Sequence, residues 1–223
     1  MLRVLVVDDQ MLIRAGIVAL LGAVPGIEVV GEAADGDKAV TMAAATTPDV
    51  VLMDIHLPTV DGITALRRIL DTVEPPPKVI MLTTFDVDEY VYAALRAGAS
   101  GFLLKETEPR HLIDAIHAAA SGEMLFAPTV TRRLVEAYLD NGYPASAQER
   151  SSPVLAALTP RETEILRLVG TGLSNAEIAE KLTLSESTIK THLNRTMTKL
   201  DVSSRAQAVV VAYETGLVVR RRA

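Results

Sequence analysis

The chain has 223 residues, 49% of them hydrophobic and 22% charged, which is enough apolar material to bury a core and too much for a disordered chain. It contains no cysteine, so disulfides, thiolate metal sites and a cysteine nucleophile are excluded, and a reducing compartment fits. The net charge of −6 is uneven: residues 1–122 carry −8, residues 123–150 carry −1 and residues 151–223 carry +3, which suggests two domains with different partners.

The opening Met1-Leu2-Arg3 runs straight into a strand-like segment without the pattern of a signal peptide. No later apolar run is long enough to span a membrane, so the cytoplasm is the expected compartment. Arg3–Val7 is the first strand, followed by Asp8-Asp9. Met11–Ala23 carries Leu12, Ala15, Val18 and Leu21 at helical spacing and ends at Pro25-Gly26. Ile27–Ala33 is a strand; Asp35 then caps a helix that Thr47-Pro48 stops. Asp49–Met53 is a strand leading to Asp54, and Gly62–Thr72 a helix followed by Pro75-Pro76-Pro77. Lys78–Leu82 is a strand ending in Thr83-Thr84, and Asp86–Ala97 a helix. Gly101–Leu104 is the last strand, then Lys105, and Pro109 opens a helix that ends near Gly122.

Five short strands, apolar on both faces and separated by helices, imply a parallel sheet with right-handed crossovers. Their carboxyl ends then lie on one edge, where ligands bind in open α/β sheets. That edge carries Asp8, Asp9, Asp54, Thr83 and Lys105. Singly, each has an ordinary explanation: a turn residue, a helix cap, a surface lysine. Together, at the ends of four strands, they point to one site. If the first and third strands are neighbours, as in the flavodoxin-like order, the three carboxylates meet at the switch point. Two unit charges about 4 Å apart repel by roughly 4 kcal/mol at an effective dielectric of about 20, so the cluster calls for a cation or a modified Asp. Mg²⁺ suits carboxylates, water and phosphate oxygens. With it, the Asp54 carboxylate is a reasonable nucleophile towards phosphorus, with Lys105 and Thr83 facing the phosphate oxygens.

Val7-Asp8-Asp9, the Asp54-x-x-x-Pro58-x-x-Asp61-Gly62 block, Leu82-Thr83 and Gly98-Ala99-x-Gly101-Phe102-Leu103-Leu104-Lys105 resemble the receiver domain of two-component response regulators, over residues 1 to about 122. The resemblance implies that a sensor histidine kinase phosphorylates Asp54. It implies that Asp8 (through water), Asp9, Asp54 and the backbone carbonyl of His56 hold Mg²⁺, and that Thr83 and Lys105 bind the phosphoryl oxygens. In the family's switch Thr83 moves towards the phosphate and the aromatic at Phe102 fills the space it leaves. Phe102 stands where many receivers have Tyr, Glu106 where many have Pro, and Leu57 where Met is common. Phe85, two residues after Thr83, is expected to hinder attacking water and lengthen the phosphorylated lifetime.

Residues 123–157 read as a connector: a short helix over Thr131–Asp140, a break at Asn141-Gly142-Tyr143-Pro144, and a flexible linker through Ser151-Ser152-Pro153. Residues 158–223 read as a four-helix domain. Thr159-Pro160-Arg161-Glu162 and Ser174-Asn175-Ala176-Glu177 are capping boxes. Thr183-Leu184-Ser185 is so short a connection that a helix-turn-helix is indicated. The third helix places Ile189, Leu193, Met197 and Leu200 on one stripe, and Lys190, Thr191, Asn194, Arg195 and Thr198 opposite it, with no carboxylate after Glu186. That face offers donors suited to bases and phosphates. The fourth helix, Ser204–Thr215, is apolar almost all round, leaving a spare face for a dimer contact.

Leu158-Thr159-x-x-Glu162-x-x-Ile165-Leu166, Leu173-Ser174-Asn175-x-x-Ile178-Ala179, Ser187-Thr188-Ile189-Lys190-x-His192-Leu193 and Lys199-Leu200 are similar to the LuxR-type DNA-binding domain. Joined to a receiver, this resembles the NarL/FixJ class. The resemblance implies base contacts from Lys190, Thr191 and Asn194, and phosphate contacts at or near Arg195 and Lys199. Asn194 replaces a basic residue of some members, and Asn favours adenine where Lys favours guanine. The expected protein is a non-enzymatic regulator that assists only its own phosphoryl transfer and dephosphorylation. Its expected partners are the kinase, promoter DNA and a second copy after phosphorylation, with RNA polymerase a further candidate. The alternatives are a Mg²⁺-dependent aspartate-nucleophile phosphatase of the haloacid-dehalogenase kind and a phosphorylation-independent regulator. The phosphatase requires Asp-x-Asp after the first strand, which Val7-Asp8-Asp9-Gln10 does not supply.

Overall fold

The computed structural model describes residues 1–83, 88–122, 155–202 and 204–218. Two compact units, Met1–Leu125 and Phe126–Ala223, make up the chain. The expected connector helix, the linker up to residue 153 and Phe85 lie outside the described residues.

The first unit alternates β1 (Leu2–Val7), α1 (Met11–Gly22), β2 (Ile27–Ala33), α2 (Gly36–Thr46), β3 (Val50–Asp54), α3 (Gly62–Thr72), β4 (Lys78–Thr83), α4 (Asp88–Arg96), β5 (Gly101–Leu104) and α5 (Pro109–Ala120). The sheet order is β2-β1-β3-β4-β5 and the pairings are parallel, which is the expected flavodoxin-like arrangement. Val4, Val6, Val50, Leu52, Ile80 and Leu82 pack with Leu21, Leu112 and Ile116. The alternate residues Leu5, Val51, Met53 and Met81 are equally covered. A sheet buried on both faces explains why the strands read as unbroken apolar runs.

Register brings the strand ends level. Val7 is opposite Met53, Asp54 opposite Leu82, and Thr83 opposite Leu104. The next residue after β1 is therefore Asp8 and the next after β5 is Lys105, beside the ends of β3 and β4. The chain runs from β1 outward to β2 and then back across to β3, so the crevice at β1/β3 is the switch point.

One helix faces differently from its spacing. Leu12 of α1 is 87% exposed and Ala15 is exposed, whereas Leu21 is buried and Ile17, Val18 and Leu20 pack against the core. Arg14 sets the rotation: its Nη1 donates to the Asp8 carbonyl at 2.6 Å and its Nε lies 3.4 Å from Glu32 Oε2. Leu12 is two residues, about 200° round the helix, from that inward arginine.

The second unit has a 3-10 turn (Leu155–Ala157), then α6 (Pro160–Gly170), α7 (Asn175–Leu182), α8 (Glu186–Lys199) and α9 (Arg205–Glu214). Both expected capping boxes form, Thr159 with Glu162 and Ser174 with Glu177. Thr183 takes the left-handed conformation at φ 54°, which turns α7 sharply into α8. Ile165, Val169, Ile178, Ile189, Leu193 and Val209 form one core cluster; Leu166, Leu200, Ala208 and Ala212 form a second. The face of α9 expected to be spare is partly covered: Val209 and Val210 are buried, whereas Val211 and Tyr213 are half-buried, Val211 packing against the second cluster.

Candidate functional site

The acidic site is built at the carboxyl ends of β1, β3, β4 and β5. Asp8 is fully buried, Asp54 and Thr83 are buried, and Asp9 is exposed at the rim. One carboxylate oxygen from each of Asp8, Asp9 and Asp54 lies within 4.8 Å of the others. Lys105 reaches in from the end of β5: its Nζ donates to Asp54 Oδ2 at 2.7 Å and lies 2.8 Å from Asp8 Oδ2. Its backbone N–H donates to the Thr83 carbonyl at 2.8 Å, which joins the two strand ends.

The loop after Asp54 is held close. The His56 N–H donates to Asp54 Oδ1 at 3.3 Å, and the Gly62 N–H donates to the Ile55 carbonyl at 2.9 Å. A Cβ on Gly62 would sit 2.0 Å from the Asp54 carbonyl oxygen. Only glycine allows α3 to start this near the acidic residue. Asp61 caps α3, accepting from Ile63 and Thr64 at 3.0 and 2.9 Å. Burial pushes the Asp61 carboxyl up, but the hydrogen bonds from Thr64 and Ile63 outweigh it and hold the group below its ordinary value.

The second unit offers a different surface. On α8, Ile189 and Leu193 are buried, while Thr191, Asn194, Arg195 and Thr198 are exposed and Lys190 is half-buried. The Thr191 and Thr198 hydroxyls donate to the carbonyls of Ser187 and Asn194, which steers their side chains along the helix. Lys199, at the end of the helix, donates its Nζ to Glu162 Oε2 at 2.7 Å.

Comparison with known proteins gives the two units their family. The response regulator receiver domain matches residues 4–117, and the luxR family of bacterial regulatory proteins matches residues 156–212. The chain is 42% identical over 217 residues to the transcriptional regulatory protein YxjL of Bacillus subtilis, covering 97% of each chain. The chain is a response regulator of the NarL/FixJ family. Among solved structures, response regulator ChrA of a heme-sensing two-component system is 36% identical, with a TM-score of 0.52 over 97% of this chain and 98% of that one. The response regulator RcsB in complex with DNA is 26% identical, with a TM-score of 0.54 over 95% and 98%.

The acidic pocket of this response regulator fits a hard divalent cation. Besides the three clustered carboxylates, Asp8 Oδ2 is wholly buried and its one partner among the described residues is Lys105 Nζ, 2.8 Å away. An anionic oxygen held in that state has coordination capacity to spare. Burial pushes the Asp54 carboxyl up, with the Asp8 charge adding to it, against the hydrogen bond and charge of Lys105. For Lys105 burial acts downward, but its bonds and charges with Asp54 and Asp8 prevail and push the ammonium up. It therefore stays protonated at neutral pH.

Sequence reasoning set Lys105 against phosphoryl oxygens and did not foresee its seat on the carboxylates. It also gave no role to Arg14, Gly62 or Tyr90. The Tyr90 ring of α4 meets the exposed His56 ring edge-on, with centroids 5.0 Å apart and planes at 86°. Asp61-Gly62 was a visible signal for the tight turn; no sequence pattern links Tyr90 to His56. Phe102 is buried, 4% exposed, as befits an aromatic without a hydroxyl to solvate. On α8, Thr196 was also missed: it is fully buried, its hydroxyl donating to the His192 carbonyl at 2.9 Å.

Proposed function

We propose that this regulator receives a phosphoryl group on Asp54 from a sensor histidine kinase, and that the modification controls dimerisation and sequence-specific promoter binding in the cytoplasm. The observation that carries the reading is the joint placement of Asp54, Asp8 and Lys105, within 2.8 Å contacts, at the ligand-binding edge of a receiver sheet whose chain continues into a LuxR-type unit. The proposed domains are a receiver over residues 1–122, a connector over 123–157 and a DNA-binding domain over 158–223.

Asp9, Asp54, the His56 carbonyl and Asp8 through water would hold Mg²⁺, whose charge would offset the negative charge of the carboxylates and the incoming phosphoryl group. Asp54 supplies the nucleophilic oxygen. A P–O bond forms as the P–N bond of the donor phosphohistidine breaks, and the imidazole keeps the electron pair. Lys105 exchanges a carboxylate partner for a phosphoryl oxygen, and the Thr83 hydroxyl donates to another. Phe102 packs in step with Thr83. The product is the modified protein itself; water later attacks the acyl phosphate, releasing inorganic phosphate and restoring the Asp54 carboxylate.

In the second unit, Lys190, Thr191 and Asn194 would read base edges and Arg195 a phosphate. Two copies would present α8 to half-sites about one helical turn apart. RNA polymerase is a natural further partner for a promoter-bound dimer. Light scattering on wild type and Asp54→Ala, with Mg²⁺ and with or without beryllofluoride, and again with DNA, tests the reading. Dimerisation and tighter DNA binding by wild type alone are expected. If neither protein responds, control by phosphorylation is refuted.

A further inference from the structure

We infer that the first turn of α6 is a bracket that fixes the pose of the recognition helix α8, with Glu162 as its positioning residue and Lys199 as its strut. The inference rests on the reading of α8 as the DNA-contacting helix and assigns work to two residues that need touch no base.

Glu162 is 4% exposed, unusual for a carboxylate. One of its oxygens, Oε2, takes two bonds. It accepts from the Thr159 N–H at 2.8 Å, closing the capping box, and from Lys199 Nζ at 2.7 Å. Lys199 is the last residue of α8, and its side chain remains 37% exposed. The neighbour of Glu162 works on the other end. Arg161 Nη2 donates to the Leu182 carbonyl at 3.4 Å, the last residue of α7 before the turn into α8, while its Nη1 is held by Glu164 at 2.6 Å. Adjacent residues of α6 thus grip both the entrance to α8 and its final residue, which are separated by a helix of about 21 Å. Leu155 and Leu158, just ahead of the bracket, pack in the cluster that holds Leu200, the C-cap of α8.

Such a bracket bears on specificity more than on total attraction to DNA. Base-edge hydrogen bonds are short and directional, so a tilted helix loses several of them together. Coulombic attraction to phosphates tolerates the same tilt. A lysine serving as strut contributes to sequence discrimination, whereas a lysine neutralising a phosphate contributes equally on any sequence.

The test uses the full-length chain, a duplex that the wild type selects from a randomised library, and a scrambled duplex of the same composition. Glu162→Gln keeps the shape and the capping bond, since Gln also closes a capping box, but weakens the hold on Lys199. Lys199→Met keeps the stem and removes the charge. Each is expected to lose about tenfold affinity for the selected duplex with little change on the scrambled one. The salt dependence should be unaltered, the double variant no worse than either single one, and Lys199→Arg should restore selectivity. If Lys199→Met weakens both duplexes alike and lowers the salt slope by about 0.9, Lys199 is a phosphate contact and the bracket is refuted. Selectivity unchanged in both single variants refutes it as well. Should Glu162→Gln fail to fold, Lys199→Met and Lys199→Arg decide alone. A wild type that selects no sequence refutes the DNA-binding reading itself, an outcome distinct from all of these.

Discussion

Lys105 holds its ammonium 2.7 Å from Asp54 Oδ2 and 2.8 Å from Asp8 Oδ2, so a protein cation already sits on two of the three carboxylates of the acidic pocket. A divalent ion entering the pocket meets that charge and competes with it for the same oxygens. Lys105→Met is therefore expected to bind Mg²⁺ more tightly, by about tenfold, since like charges repel strongly at partly buried sites. It should also fail to dimerise in response to beryllofluoride, having lost a phosphoryl-oxygen partner. Calorimetric Mg²⁺ titration measures the first effect; equal or weaker binding by the variant would show that the lysine does not compete.

Gly62 gives a sharper steric test. A Cβ there would lie 2.0 Å from the Asp54 carbonyl oxygen and 3.0 Å from the Ile55 Cα, both backbone atoms that cannot swing aside. Gly62→Ala must push α3 away from the end of β3. The expected cost is about 3 kcal/mol, in the range of overpacked sites, read as a lower denaturant midpoint. Whatever fraction folds should bind Mg²⁺ poorly, because the loop carrying His56 moves with the helix. Wild-type stability would mean that the turn relaxes freely and that glycine has no steric duty there.

The strand ends were legible because a buried parallel strand cannot run on into Asp8, Asp54 or Lys105, and register then levels those residues across the sheet. The capping boxes at Thr159 and Ser174 were legible because they are local. What could not be read were contacts set by rotation and long reach. Leu12 looked like a core residue until Arg14 was seen to face the sheet. Lys199 looked like one more basic residue on α8, yet its partner Glu162 is 37 residues away in the chain. The spare face expected on α9 is narrower than periodicity suggests because Val210, which no local pattern distinguishes from the half-buried Val211, is buried by tertiary packing. Periodicity reports how often a helix turns, and the neighbours decide which way it faces.

Lys190 separates the two functions of the chain. It lies at the edge of the exposed face of α8 in the second unit, whereas the acidic pocket belongs to the first. Lys190→Ala is expected to cost about 1–3 kcal/mol of discrimination for the selected duplex, the value of a good base contact. Phosphorylation of Asp54 should proceed at the wild-type rate. Gel-shift titration beside a phosphotransfer assay checks both. Loss of both activities would indicate misfolding and leave Lys190 without a base-reading role.

Glu162 should make the second unit acid-sensitive in a defined window. The hydrogen bond from Lys199, then that from the Thr159 N–H, lower its carboxyl from the ordinary 4.5 to about 2 against the opposing effect of burial. A carboxyl depressed on folding stabilises the native state fully above its unfolded value and loses that contribution as pH falls through the folded one. Protection of the α8 amides from hydrogen exchange should therefore decline from about pH 4.5 towards pH 2 in wild type. In Glu162→Gln the decline over that window should be smaller, the two proteins converging at the acid end. Parallel curves would place the acid sensitivity elsewhere.

Arg205 stands at the first position of α9, where a positive charge opposes the helix dipole. It is 8% exposed, and its position is explained by what it reaches. Nη1 donates to Asn175 Oδ1 at 2.6 Å, at the start of α7, and Nη2 donates to the Leu173 carbonyl just before it. The guanidinium therefore ties the start of α9 to the loop that aims the helix-turn-helix. Arg205→Met would leave two acceptors short of a donor, for a loss of about 2–3 kcal/mol. Arg205→Lys should recover little, because one ammonium cannot reproduce the two-pronged geometry. Denaturant unfolding followed by hydrogen exchange in α7 and α9 checks this. Full rescue by lysine would show that charge alone matters at this position.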